Sequence, residues 1–347
     1  MSNHSKTELD SLIGLPVNGM RLTFQCLPPH LQNVERLLEG TGISRDDWDY
    51  GQALMTWKHV RLFTSNVLAL NPPSDLPLRT GLLASPNIHG AVGMAAMTSE
   101  DVDNALHMFE QFINTRSQVF EMRYIKATVL DGNACNSMMF SFLPPEDTGL
   151  RFNIQAILAG AYCSVKFLAG GILQDAEIHF KWPKPDNWKD YETAFDGNKV
   201  VFDAPAYAIH IPLTTGSKTI ISSDKTLHAI AVQQCESQVQ SMYVKGSTAQ
   251  WVLSQLSMQR GHLLTLEQLA EMMKISSRTL LRRLKLEGVS FQELQDLECS
   301  RRASELLKAG QSVAAVAEQL GYAEPVSFRR AFKRWFGVAP SEFRMKG

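Results

Sequence analysis

The chain has 347 residues, which is long enough for two domains with hydrophobic cores. Its hydrophobic fraction of 44% and its charged fraction of 20% exclude an intrinsically disordered chain. The net charge of −1 is unevenly divided: residues 260–347 hold 15 Lys/Arg and 10 Asp/Glu (+5), which leaves 19 and 25 (−6) for residues 1–259. A basic module joined to an acidic one is typical of a nucleic-acid-binding protein with a second, non-binding domain.

The N-terminal part is predicted to be mainly helical. Residues 1–30 are expected to form a polar tail and an extended segment that ends at Pro28-Pro29. Apolar residues at helical spacing then predict helices over residues 31–38 and 60–70. The acidic group at residues 99–101 predicts the start of another helix.

The hydrophobic period then changes from helical to alternating. Residues 124–130 and 137–143 are predicted strands joined by the turn at residues 131–133. A helix is expected over residues 154–173, and further short strands follow it at residues 177–180, 200–202 and 208–211. Helices around a few antiparallel strands predict an α+β domain, to which we assign residues 1–240.

A linker is predicted at Lys245-Gly246-Ser247-Thr248. A long polar helix that starts near residue 226 leads into this stretch, and a new helix follows it. We therefore assign residues 246–347 to a second domain, which is predicted to be all-α.

The second domain contains the same helix-turn-helix pattern twice. Leu280 and Leu284 in the first copy match Phe328 and Phe332 in the second, and Arg282 matches Arg330. A short helix, a tight turn and a basic second helix form the unit that places its second helix in a DNA major groove. Two such units indicate a DNA-binding protein.

Helix boundaries in this domain are marked by capping residues. Gly321 and Gly337 are expected to end helices, and Pro325 is expected at the first position of one. The helix over residues 291–307 would span about 26 Å, against about 34 Å between successive major grooves. N-caps are predicted at Thr265 (with Gln268 as its capping-box partner), Ser276, Ser290 and Ser312.

The second helix of each copy has one apolar and one basic face. Buried residues at i and i+4 turn the opposite face toward solvent. We expect Lys333 and Arg334 to contact phosphates. The predicted DNA-contact residues are Arg278, Leu281, Arg282 and Lys285 in the first copy, and Val326, Arg329, Arg330 and Lys333 in the second.

Residues 321–344, GYAEPVSFRRAFKRWFGVAPSEFR, resemble the signature of the AraC/XylS transcription regulators. The resemblance extends over roughly residues 248–344. It implies a seven-helix module whose two recognition helices enter adjacent major grooves. Carried onto this chain, it implies base-edge contacts by Arg278, Leu281 and Arg282, and by Val326, Arg329 and Arg330.

The chain departs from that family at two positions. Lys274 stands in the first turn where glycine is usual. Cys299 stands where arginine is common, so that the role of that arginine is either absent or passed to Arg301 or Arg302.

The N-terminal part is similar to the arabinose-binding-type sensor domain found in a branch of the same family. The similarity is carried by a run from Phe180-Lys181-Trp182-Pro183 to Ile211-Pro212-Leu213. It implies that this domain senses a small molecule, and the name of the domain does not make that molecule a sugar.

Composition argues against an exported or disulfide-bonded protein. The five cysteines are scattered and include no Cys-x-x-Cys, which disfavours a disulfide framework or a zinc site and favours a reducing cytoplasm. The N-terminus leads into no apolar signal core. The apolar stretch at residues 154–173 is interpreted as a buried helix rather than a membrane span.

No catalytic, metal or cofactor site is predicted. Gly90-Ala91-Val92-Gly93 lacks the spacing of a phosphate-binding loop and is expected to be a turn. His179 and His210 are interpreted as structural residues, and Cys163 as a core residue. No residue can be singled out as contacting an effector.

The hypothesis is a cytoplasmic, ligand-responsive transcription regulator. Its expected partners are double-stranded promoter DNA, a small-molecule effector, a second copy of the chain and, as a further candidate, RNA polymerase; no membrane is expected. Two alternatives remain open: a DNA-tethered enzyme that transfers an alkyl group to a cysteine, and a constitutive DNA-binding dimer. The choice between activation and repression also stays open.

Overall fold

The computed structural model describes residues 10, 12–50, 54–245, 248–258, 263–273, 275–287, 289–308, 311–322 and 324–345. The chain divides into two compact units, Met1–Gln238 and Val239–Gly347. The predicted linker residues Gly246 and Ser247 lie outside the described residues, so the domain limits 1–240 and 246–347 stay a prediction.

The N-terminal unit contains a two-stranded and a five-stranded sheet. The larger sheet has the strand order β3-β4-β7-β5-β6. Its strands β3 and β4 are joined by Asp131 and Gly132, both with positive φ (49° and 81°), which confirms the predicted turn. The strands are β1 (Ile13–Pro16), β2 (Leu54–Thr56), β3 (Phe120–Leu130), β4 (Asn133–Phe142), β5 (Glu177–His179), β6 (Lys199–Val201) and β7 (Tyr207–Pro212).

One pair of strands contradicts the expectation of a purely antiparallel sheet. Strands β5 and β6 run parallel, with Ile178 opposite Val200. The chain returns to the same end of the sheet through the short helix Trp188–Ala194, which lies between the two strands in sequence. A helical connection of this kind is what parallel neighbours need.

Eleven helices are described in this unit and its exit. The five-stranded sheet contacts helix Val102–Phe112 through β3, and helix Leu213–Gly216 through β4 and β7. In chain order the helices are α1 (Val17–Cys26), α2 (Val34–Leu38), α3 (Arg45–Asp49), α4 (Trp57–Leu68), α5 (Leu76–Leu82), α6 (Ala91–Met97), α7 (Val102–Phe112), α8 (Thr148–Leu168), α9 (Trp188–Ala194), α10 (Leu213–Gly216) and α11 (Lys225–Lys245).

The extended segment predicted before Pro28 is confirmed only as strand β1 (Ile13–Pro16), and the rest of the prediction is wrong. Residues Val17–Cys26 form helix α1, although its N-cap, Pro16, supplies no side-chain hydrogen bond. Val17, Met20 and Thr23 are buried at helical spacing. Tertiary packing of this face stabilises the helix where the local capping signal is missing.

The turn predicted at Gly90–Gly93 is also wrong. Gly90 has φ = 60° and precedes helix α6, and Gly93 lies within that helix. A Cβ atom on Gly93 would lie 1.7 Å from the carbonyl oxygen of Pro86. Glycine is therefore required here for close packing within a helix rather than for a turn.

Helix α8 confirms that the most apolar part of the chain is a buried helix. It packs against α5 so closely that a Cβ atom on Gly81 would lie 2.3 Å from the carbonyl oxygen of Ala156. Among the described residues, no helix is long and apolar enough to cross a membrane.

Seven helices follow in the C-terminal unit, in agreement with the expected module. The N-caps at Thr265, Ser276 and Ser312 are confirmed, as is the capping box of Thr265. Lys274, the departure in the first turn, lies outside the described residues. The helices are α12 (Thr248–Met258), α13 (Leu266–Met272), α14 (Ser277–Leu286), α15 (Phe291–Lys308), α16 (Val313–Gln319), α17 (Pro325–Phe336) and α18 (Pro340–Met345).

Candidate DNA-binding surface and effector cavity

Helix α14 presents the first candidate DNA-binding face. It begins after Ser276, whose hydroxyl accepts a hydrogen bond from the backbone N–H of Thr279. Leu280 and Leu284 are fully buried, which turns the opposite face of the helix toward solvent. The four residues predicted to contact DNA are all exposed there: Arg278, Leu281, Arg282 and Lys285.

Helix α17 repeats this arrangement in the second copy. Pro325 occupies its first position, and Gly337 ends it in the left-handed conformation with φ = 74°. Phe328 and Phe332 are fully buried. The predicted residues again lie exposed: Val326, Arg329, Arg330 and Lys333.

The cations of both faces are available to an external anion. Among the described residues, no carboxylate oxygen lies within 4 Å of the six basic side chains predicted to contact DNA. Arg334 differs, because its Nη2 lies 2.7 Å and 2.8 Å from the two carboxylate oxygens of Asp296. This ion pair competes with the phosphate contact expected of Arg334.

Each helix-turn-helix copy has its own hydrophobic core. Helix α15 passes from one core to the other, with Leu294 in the first and Ala303 and Leu307 in the second. Its 18 residues span about 27 Å at 1.5 Å per residue. The first core also contains Trp251, Val252, Leu256, Leu269, Ala270, Leu280 and Leu284, and the second Val316, Ala317, Leu320, Phe328 and Phe332.

A buried ionic network lies in the middle of α15. Glu298 accepts hydrogen bonds from Arg302 Nε (2.5 Å) and Arg301 Nη2 (2.7 Å). Arg302 also donates to the carbonyl oxygen of Leu256 at the end of α12. Burial would raise the pKa of Glu298, but the two guanidinium groups outweigh it and hold the pKa below its ordinary value.

This network includes the two arginines that could take the role of the family arginine missing at Cys299. Cys299 is buried, and burial raises its pKa to about 11, so that the thiol stays neutral. Both arginines suggested as substitutes, Arg301 and Arg302, contact Glu298, and Arg302 also joins α15 to α12.

The N-terminal unit encloses a cavity of about 140 Å³. It lies between the helical layer and strands β3 and β4, and its wall is mostly apolar. The larger apolar side chains of the wall are Met20, Phe63, Leu106, Phe109, Phe120, Met122, Met138, Phe140, Phe152 and Ile157.

The wall also carries polar atoms without a hydrogen-bond partner. They are the Nε of Arg116, the Nδ1 of His89 and the hydroxyls of Ser117 and Thr80, and all four are buried atoms. The guanidinium of Arg116 makes one long contact, from Nη2 to the carbonyl oxygen of Ile88 at 3.4 Å. Buried polar atoms without partners are uncommon and mark places where a ligand or water is expected.

Two histidines of this unit are kept neutral by their surroundings. Burial, and secondly the charge of Arg116, lowers the pKa of His89 to about 4. Burial, and secondly His179, lowers the pKa of His210 to about 4, against an opposing effect of Glu177. The Nδ1 of His210 lies 2.8 Å from the hydroxyl of Ser137, consistent with the structural role predicted for it.

Acidification is expected to destabilise the N-terminal unit between pH 6.5 and about 4. In this window the unfolded chain binds protons on both histidines and the folded chain does not, so stability falls as the pH falls. Each histidine should contribute about 3 kcal/mol across the window. Urea unfolding at several pH values measures this, and His89→Gln should remove about half of the dependence. An unchanged slope in this variant would contradict the assignment.

Comparisons with known proteins agree with both halves of the molecule. Residues 32–215 match the family described as the arabinose-binding domain of AraC transcription regulators, and residues 269–346 match a helix-turn-helix domain family. The first match covers more than half of the chain.

Several relatives align over much of their own length. An ornithine utilization regulator of Pseudomonas aeruginosa is 27% identical over 81% of both chains. The regulator VqsM of the same species is 24% identical over 74% of this chain and 79% of its own. An uncharacterized HTH-type transcriptional regulator of Mycobacterium tuberculosis is 33% identical over 43% of both chains.

The fold, the paired basic helices and these matches agree with one another. They confirm the resemblance drawn from residues 321–344 and the weaker one drawn from the N-terminal part. The chain belongs to the AraC family of transcription regulators, with an effector-binding N-terminal domain and a C-terminal helix-turn-helix domain.

Proposed function

We propose that α14 and α17 bind promoter DNA through the eight residues predicted to contact it. Arg278, Leu281 and Arg282, with their counterparts Val326, Arg329 and Arg330, would face base edges. Lys333 would contact a phosphate, and Lys285 belongs to the same surface. The observation that carries this proposal is the repetition of an exposed, unpaired basic face on two helices with separate cores.

Arg330→Ala is expected to weaken cognate binding and to relax specificity at one or two base pairs. An arginine can donate two hydrogen bonds to guanine, which corresponds to about 1–3 kcal/mol of discrimination, or roughly 5- to 150-fold. The site would first be selected from a random DNA pool. Affinities for single-base variants of that site, at two salt concentrations, then measure the effect.

Lys333→Ala is the matched control on the same helix. Loss of one phosphate contact should weaken all sequences alike and reduce the salt slope by about one unit. Arg282→Ala, at the equivalent position of the first copy, should relax specificity in the other half of the site. An even loss across the panel for Arg330→Ala would remove its assignment as a base-contacting residue.

We also propose that the 140 Å³ cavity is the effector site. An effector would favour one arrangement of the sensor domain and so change how the DNA-binding helices engage paired sites. The name of one relative refers to ornithine utilization. None of the described wall residues here is an Asp or Glu that would pair with the amino groups of ornithine, so we do not extend that ligand to this chain.

The proposed domain limits and dimer are tested with two fragments. Residues 246–347 should fold alone and bind DNA, whereas residues 1–240 should sediment as a dimer at micromolar concentration and not bind it. The charge difference of +5 against −6 gives the reason for the first expectation. An unfolded C-terminal fragment would contradict the domain limits. A strictly monomeric N-terminal fragment, with and without effector, would contradict the dimer.

We favour a regulator over a DNA-tethered alkyl-transfer enzyme. A cysteine that accepts an alkyl group must react as the thiolate. Burial raises the pKa of the thiols of Cys26, Cys163, Cys235 and Cys299, which disfavours their thiolate forms. The named relatives are transcription regulators.

We further propose that the protein is cytoplasmic and that it contacts RNA polymerase. A constitutive dimer remains the second candidate, and a thermal-shift screen of metabolites that finds no effector would favour it.

A further inference from the structure

Arg116 is the one charged side chain among the described residues of the mostly apolar cavity wall, whose other polar groups include Thr80, Asn153 and Ser164. Arg116 and Ser117 are adjacent in sequence, and a contact from Arg116 to the carbonyl oxygen of Ile88 brings His89 to the same region. Ser117 is 1% exposed, and its hydroxyl has no partner. One cation and two neutral hydrogen-bonding groups therefore stand together without the partners that buried polar groups need.

Arg116 is the charged group among the three. Burial lowers its pKa, yet a guanidinium remains charged at neutral pH. Among the described residues, no carboxylate oxygen lies within 4 Å of it. Arg116 is half-buried and its Nε is a buried atom, so that its charge is partly desolvated without a counter-charge, and an anion supplied from outside the chain would reduce that penalty.

The rest of the wall limits the size and charge of the ligand. An apolar cavity of about 150 Å³ holds a benzene molecule, and the present cavity has about 140 Å³. Its wall presents several phenylalanines, among them Phe63, Phe109 and Phe152. Because none of the described wall residues is acidic, a cationic or zwitterionic ligand would leave its amino group unpaired.

We propose that the cavity binds a monocarboxylate whose apolar body is about the size of one benzene ring, with its carboxylate on Arg116 and Ser117 and a further hydrogen bond from His89. This inference rests on the proposed function, because it names the chemical class of the effector. Arg116 would donate a hydrogen bond to each of the two carboxylate oxygens as a bidentate partner. His89, kept neutral by burial, can donate from Nδ1 without adding a second charge.

The test uses the full chain and three ligands of one shape: phenylacetate, its neutral amide and phenethylamine. Calorimetry should show one saturable phenylacetate site per chain, at least about tenfold weaker binding of the amide, and no binding of the amine. Hexanoate should also bind, since the wall requires an apolar body rather than an aromatic ring. Equal binding of phenylacetate and its amide would overturn the proposal.

Arg116→Gln should weaken phenylacetate binding by at least about tenfold. It should at the same time leave the Tm of the free protein unchanged or raise it, because a partly desolvated charge without a counter-charge is removed. Arg116→Lys should retain intermediate affinity, and Ser117→Ala should lose about two- to tenfold. Arg36→Gln, an exposed arginine outside the wall, is the control and should change nothing. Unaltered phenylacetate affinity in Arg116→Gln would overturn the proposal.

The outcomes separate this inference from the proposed regulatory function. A neutral or cationic metabolite that raises the Tm and changes DNA affinity would overturn the carboxylate inference and leave effector-responsive regulation in place. Conversely, phenylacetate that binds through Arg116 without changing DNA affinity would support the site and count against its role as the effector site. If Arg116→Gln does not fold, the comparison of phenylacetate with its amide still decides the question on the native chain.

Discussion

Phe332→Ala is expected to abolish DNA contact by the second helix-turn-helix copy while contact by the first copy remains. Phe332 is fully buried, and its ring lies 4.6 Å from that of Phe336 and 5.3 Å from that of Phe343. Truncation of a buried phenylalanine costs about 3–5 kcal/mol, which is comparable with the whole stability of a small domain. Footprinting on the selected site should show protection of one half only.

Leu284→Ala is the matched variant in the first copy. Leu284 is also fully buried, but it belongs to the other core, and its truncation costs about 2–5 kcal/mol. The two variants should therefore shorten the footprint from opposite ends. If each of them erased the whole footprint, the two copies would fold or bind as a single unit, and the separation of their cores would have no functional meaning.

The C-terminal half could be predicted in detail because its signals are local. An N-cap such as Ser276 or Ser312 acts within three residues, and the helix stop at Gly321 or Gly337 depends on a single backbone angle. The repeated pattern then shows which residues are buried and which are exposed. All eight predicted DNA-contact residues are exposed accordingly.

The N-terminal half could be predicted only in outline. Helix α1 has no side-chain cap at Pro16, and it is stabilised by residues that are distant in sequence. The parallel pairing of β5 with β6 involves strands of three residues each, which are too short to show a period. The α+β class could be predicted from the sequence, whereas helix α1 and the pairing of β5 with β6 depend on tertiary contacts.

The cavity proposed as the effector site could not be predicted at all. Its wall is assembled from segments between Leu15 and Ser164, and each of its apolar residues has the pattern of an ordinary core residue. Arg116 follows a short helical turn and resembles a surface arginine in sequence. Only the structure shows that Arg116 is half-buried and that no carboxylate of the described residues pairs with it, which is a property of its neighbours rather than of its own segment.

Glu298→Ala is expected to destabilise the C-terminal domain by about 3–5 kcal/mol, because it leaves a buried guanidinium without its counter-charge. The side chains of Glu298 and Arg302 are only 3% and 7% exposed, so that solvent cannot replace the lost carboxylate. Urea unfolding of residues 246–347, followed through the fluorescence of Trp251 and Trp335, measures the change. Glu298→Gln keeps the shape without the charge and should be less damaging.

The neighbouring ion pair of Arg334 with Asp296 supplies the matched control. Its distance of 2.7 Å is similar, but the two side chains are 61% and 23% exposed. Water and salt screen such a pair, so Asp296→Ala should cost less than about 1 kcal/mol. The contrast tests burial rather than geometry as the source of the effect. Comparable losses in Glu298→Ala and Asp296→Ala would show that burial is not the source of the effect.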